Sequence, residues 1–213
     1  MEFGRLLEIV SDEPVFETGL LLAGDVAPAA VRRQLSRWTK TGRLYQLRRG
    51  LYALAPPFQK VKPQPFLIAN RMVRASYVSC QSALAYYGLI PEHVPVTTSV
   101  TTARPVRRDT PVGAYEFRHI KTNLFRGYRL IELSRGQSAF VASPEKALLD
   151  LVYLQPGGDA PDYLRELRLQ NLNRLDLEAL QRQADLAHSP KLRRAAVLVA
   201  QLAHSEALEY EAL

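Results

Sequence analysis

At Gly42 the spacing of apolar residues changes period, and that change constrains the fold more than any other feature of the sequence. Before it, Val31, Leu35 and Trp38 recur at helical spacing. At about 100° per residue they share one narrow sector, while Arg33, Ser36, Arg37 and Lys40 fall on the opposite side. After it, Leu44, Tyr45 and Leu47, then Leu51, Tyr52 and Leu54, alternate around Arg48-Arg49-Gly50, the pattern of a two-stranded hairpin. Pro28 near the start of the helix and Gly42 just past its end match the chemistry of helix termini, which predicts a helix over 28–41. Gly50 can take the positive φ that a tight hairpin loop requires. Upstream, GRLLEIV places Leu6, Leu7 and Val10 on one side of a first helix. LLLA, entered at Thr18 and stopped at Gly24, predicts a second. Three helices followed at once by a basic hairpin is the element order of a winged helix-turn-helix, whose third helix enters the major groove of DNA.

Charge points the same way. The chain carries a formal +7. Between Asp25 and Glu92 no acidic residue occurs, whereas eleven lysines and arginines do, so this block is +11 and the remainder is −4. Charge of one sign repels itself until something neutralises it, which predicts a polyanionic partner for the N-terminal third. The residues expected at nucleic acid are Arg32, Arg33, Ser36, Arg37, Lys40, Arg43, Arg48 and Arg49. Arg33, Ser36 and Arg37 are assigned to base edges, and the hairpin arginines, projecting at its tip, to phosphate or the minor groove. Arg104, Arg107 and Arg108, around Pro105 in a hairpin or loop, form a candidate second phosphate patch.

The segment APPFQKVKPQP, residues 55–65, holds four prolines and reads as an extended linker. It divides the chain into 1–57, a linker at 58–65, and 66–213. The third part mixes α and β: PFLIANRMVR and SYVSCQSALAYYGLI read as helices, the latter capped by Ser79 and ended by Gly88. VPVTTSVTTARP, AYEFRHI, GYRLIEL and QSAFVAS read as strands, and SPEKALLDLVYL as a helix. Amphipathic helices follow to the end, interrupted by a PGGDAP loop. The expected class is therefore α+β: a winged helix-turn-helix, then a mixed domain with a small sheet and C-terminal helices.

Catalytic chemistry finds little footing. Ser143-Pro144-Glu145-Lys146 matches S-x-x-K and Lys40-Thr41-Gly42 matches K-T-G, but in the reverse order to the enzymes that use them. Ser143 as N-cap with Pro144 at the first helical position explains the former. His93, His119, His188 and His204 lack metal-ligand spacing, and the single Cys80 allows neither an intrachain disulfide nor a thiolate cluster. No catalytic residue, cofactor or metal is expected. An enzyme acting on nucleic acid would need carboxylates brought together, for which Asp150, Asp159, Asp162 and Glu166 are the candidates. A protein-interaction scaffold is the remaining alternative. No apolar run is long enough to span a bilayer and the N-terminus lacks the signature of a signal peptide, so a cytoplasmic location is expected.

Several segments together carry a resemblance. GRLYQLRRGLYAL, SYVSCQSALAYYGLIPEHVP, TTARP, FRHIK and VASPEKALLDLVYL, in that order, resemble the AbiEi antitoxins of bacterial type IV toxin–antitoxin systems, over roughly residues 14–200. The resemblance implies an N-terminal winged helix that represses its own operon by binding operator DNA. It further implies a C-terminal domain that counters a nucleotidyltransferase-like toxin without a stable complex.

Overall fold

A computed structural model describes residues 1–23, 26–134 and 136–211, with side chains described as far as residue 206. The class is α+β, with helices at both ends of the chain. The first helix, α1 (Phe3–Val10), is followed by the short strand β1 (Phe16–Glu17), a 3-10 turn (Thr18–Leu22), α2 (Pro28–Lys40), β2 (Leu44–Arg48) and β3 (Leu51–Leu54). The second expected helix is thus a 3-10 turn that buries only Leu21; its expected end, Gly24, lies outside the described residues. α2 ends as its sequence predicts: Thr41 is the C-cap and Gly42 has φ +70°, a backbone region that glycine enters without strain. The chain then turns directly into β2, with Arg43 N donating to Trp38 O at 2.9 Å.

β1, β3 and β2 form an antiparallel sheet in that spatial order, with Leu44 opposite Leu54 and a bulge between Gln46 and Arg48. Strand alternation sends the hairpin's side chains into two cores. Leu44, Tyr52 and Leu54 join Leu6, Val10, Phe16, Val31, Leu35 and Trp38 in the smaller one. Leu47, Leu51 and Ala53, with Val15, enter the larger one. All four residues of β3 are therefore buried, because both faces of the strand are covered. Proline-rich 58–65 is also fastened down: Phe58 packs edge-on to Phe3, Gln64 N donates to Gln137 Oε1 at 2.9 Å, and Gln137 Nε2 donates to Lys62 O at 3.0 Å.

The rest of the chain builds a six-stranded sheet. In chain order the strands are β4 (Ser76–Val78), β5 (Val96–Thr101), β6 (Val106–Thr110), β7 (Gly113–His119), β8 (Tyr128–Ser134) and β9 (Gln137–Ala142), arranged β6-β7-β5-β4-β9-β8. The helices are α3 (Pro65–Met72), α4 (Cys80–Tyr86), α5 (Pro144–Leu154), α6 (Pro161–Glu166), α7 (Leu177–Leu186) and α8 (Pro190–Glu211). Two expectations fail locally. Residues 76–78, expected to be helical, are a central strand: Tyr77 and Val78 are wholly buried between β5 and β9. Ser79 sits at the N-cap position without capping; its hydroxyl donates to Asp150 Oδ2 at 2.7 Å instead. Ser143 does cap α5, accepting from Lys146 N at 3.2 Å. Among the described residues no helix is long and apolar enough to cross a membrane.

Candidate nucleic-acid interface

α2 has two faces of opposite character. Val31, Leu35 and Trp38 are buried beneath it, and Phe3 meets the Trp38 ring edge-on at 5.3 Å. Arg32, Arg33, Ser36, Arg37 and Lys40 are all exposed. Positions 33, 36, 37 and 40 recur at i, i+3, i+4 and i+7, so their side chains line one stripe. Among the described residues none of Arg32, Arg33, Arg37 and Lys40 has a carboxylate within ion-pair distance; Glu8, Asp12 and Glu17 pair elsewhere. Arg37 and Lys40 lie in the last turn, where the negative end of the helix dipole favours them, whereas Arg32 and Arg33 have no such local compensation.

The hairpin arginines divide. Arg43 is exposed and its guanidinium stands over the Phe3 ring at 5.0 Å, which fixes it beside the C-terminal end of α2. Arg49, in the β2–β3 turn, is exposed. Arg48, expected to project at the tip, turns back onto the protein. Its Nη2 meets Glu17 Oε1 at 3.2 Å and Arg71 O at 3.2 Å, and its Nη1 donates to Arg49 O at 2.9 Å. Glu17 also pairs with Arg74 at 2.7 Å, and Thr18 N donates to Gly50 O at 2.9 Å. Glu17 is therefore a hub that ties the turn of the hairpin to the end of α3. Nothing local in the sequence marks it, since its two partners lie 31 and 57 residues away.

Of the second arginine group, Arg107 and Arg108 lie on β6, the first arm of the β6–β7 hairpin, with Arg104 just before it; all three are exposed. Arg107 contacts Asp109 at 3.6 Å. β6 is an edge strand and lies beside β2, so this group is one strand away from the hairpin that follows α2.

The four carboxylates considered for catalysis are not brought together. Asp159 pairs with Arg194 at 2.7 Å, Asp162 with Arg165 at 2.6 Å, and Glu166 is exposed on α6. Asp150 is buried, salt-bridged to Lys146 and accepting from Tyr77 Oη at 3.0 Å and Ser79 Oγ at 2.7 Å. Burial pushes the Asp150 carboxyl above its ordinary range, against the pull of Lys146 and the two hydroxyl donors. The Tyr77 hydroxyl and the Cys80 thiol are pushed up too, by burial first and by Asp150 second. The cavity against Lys146, Asp150, Arg126 and Gln183 measures about 20 Å³, the size of one water molecule. This is a packed polar core with no room for a substrate. Among the described residues no three His, Cys, Asp or Glu side chains are grouped to hold a metal ion.

No protein-family model matches the chain, and no curated protein matches it in sequence.

Proposed function

We propose that the protein is a cytoplasmic DNA-binding repressor of its own operon and an antitoxin of a type IV toxin–antitoxin system. In this reading residues 1–57 act as a winged helix-turn-helix, with α2 in the major groove and the β2–β3 hairpin as the wing. The carrying observation is the exposed stripe of Arg33, Ser36, Arg37 and Lys40, whose cations have no acidic partner among the described residues and which is backed by Val31, Leu35 and Trp38. Such a stripe meets the two requirements of specific binding: guanidinium groups that can bond guanine O6 and N7 bidentately, and fixed charge that replaces counterions on phosphate. Arg33, Ser36 and Arg37 read bases, and Arg32, Lys40, Arg43 and Arg49 contact phosphate. Arg48 orients the hairpin through Glu17. Arg104, Arg107 and Arg108 extend the basic surface along β6. The order α1, β1, turn, α2, β2, β3 supports the reading, because it carries the chain from the third helical segment straight into a basic hairpin.

The antitoxin half rests on the resemblance to AbiEi proteins. It assigns the six-stranded unit to countering a nucleotidyltransferase-like toxin without a stable complex. Footprinting upstream of the protein's own gene tests the first half, and rescue of growth on co-expression with the toxin encoded beside it tests the second. Absence of a protected site there would refute autorepression; unrelieved toxicity would refute the antitoxin role.

A further inference from the structure

The two edges of the six-stranded sheet are built differently. β6, at one edge, reads Val-Arg-Arg-Asp-Thr, and its charges discourage pairing with another strand. β8, at the other, reads Tyr-Arg-Leu-Ile-Glu-Leu-Ser, with neither lysine nor proline and a bulge only past Glu132. On one face of the β8–β9 hairpin Leu130 stands opposite Phe140 with Tyr128 alongside, and these side chains are 60%, 41% and 36% exposed.

The direction of the backbone groups follows from two hydrogen bonds. Phe140 N donates to Asn70 Oδ1 and Ala142 O accepts from Tyr87 Oη at 3.0 Å, so the backbones of Phe140 and Ala142 point away from β8. Their partners across the ladder, Leu130 and Tyr128, must then point away from β9, and by alternation so must Glu132. Tyr128, Leu130 and Glu132 therefore present N–H and C=O groups outward from an edge strand that no other described strand pairs with, with the exposed side chains of Tyr128 and Leu130 above them.

The geometry points to a second copy of this chain as the occupant of that edge: β8 pairs antiparallel with β8 about a two-fold axis through Leu130, joining two six-stranded sheets into one. The strand is self-complementary in this register. Leu130 meets Leu130 of the second copy, and Tyr128, whose phenol is a donor, meets the acceptor Glu132 of the second copy. Arg129 meets Ile131 of the second copy, so no like charges face each other. All outward backbone groups of residues 128, 130 and 132 fall at hydrogen-bonding positions. Shifting the centre to Ile131 would keep the parity but set Leu130 against a carboxylate. No residue of this β8 edge is assigned to DNA, so the pairing stands apart from that reading.

The test is sedimentation equilibrium of the full chain without DNA, together with cysteine cross-linking. Apparent mass should double as concentration rises, and Leu130→Arg should abolish the rise while leaving the thermal melt of the protein in place. Hydrogen-bonded antiparallel partners have Cα atoms about 5.5 Å apart, within reach of a disulfide. Leu130→Cys should therefore form a covalent dimer under mild oxidation. Tyr128→Cys should not, because its two copies would lie four residues apart, about 13 Å along the strands. Cys80 is buried and contributes no background. A wild-type chain that stays monomeric, or equal cross-linking at 128 and 130, would overturn the proposal.

Discussion

Arg33 and Arg37 on α2 and Lys146 on α5 are cations of similar reach, but the fold uses them in opposite ways. Lys146 is about 7% exposed and faces a carboxylate that is itself held by Tyr77 and Ser79. Each donor there has an acceptor inside the protein, so that charge serves the fold. The arginines of α2 stand over an apolar floor with no acidic partner among the described residues. Their charge is left available to something outside the chain. The number of basic residues alone does not distinguish these uses; the location of the counter-charge does.

The largest effect should come from breaking the internal pair. Lys146→Met leaves Asp150 buried without its counter-ion and should cost about 3–5 kcal/mol of stability, measured by urea unfolding, with operator affinity of the folded protein unchanged. Next, Arg33→Ala and Arg37→Ala should each weaken specific binding by about 1–3 kcal/mol and relax base preference. Their unfolding free energies should stay within about 0.5 kcal/mol of wild type, as for exposed sites without partners. If instead Lys146→Met abolished DNA binding in folded protein, or the α2 variants unfolded, the contrast between the two regions would fail.

A smaller pair of effects separates two neighbouring arginines. Arg49→Ala should make the salt dependence of DNA binding shallower by about one unit of log–log slope. Arg48→Ala should leave that slope alone and lower stability by about 0.5–1 kcal/mol, through loss of the partly buried contact with Glu17, read in the same unfolding assay. The smallest signal should be that of Cys80. Burial and Asp150 hold its thiol protonated, so a thiol reagent at neutral pH should label it only as fast as the protein unfolds, a rate measurable by mass spectrometry.

How much of this was readable from sequence varied with the range of the interactions involved. α2 and the hairpin were legible because a change from helical to alternating spacing at Gly42 is a local signal, and the boundaries of α2 follow from Pro28, Thr41 and Gly42. Strand β4 was not, because three residues followed immediately by a helix give period analysis no length to work on. It is a strand because β5 and β9 flank it. Arg33, Ser36, Arg37 and Lys40 were expected on the face opposite Val31, Leu35 and Trp38, since helix geometry fixes that opposition, and all four are exposed. The inward turn of Arg48 was missed because its partners, Glu17 and the Arg71 carbonyl, are distant in sequence. Lys146 and Asp150 stand four apart on α5, a spacing visible in the sequence; that the pair is buried depends on the sheet packed against it.

The most direct test of the account is a salt titration of binding to duplex operator DNA, comparing wild type with the triple variant Arg32→Ala/Lys40→Ala/Arg49→Ala. With about six phosphates neutralised, the wild-type slope of log affinity against log salt should be about −5, and loss of three contacts should bring it to about −2.5. A slope that is the same in both proteins, or no binding by wild type at low salt, would contradict the claim that this surface grips DNA.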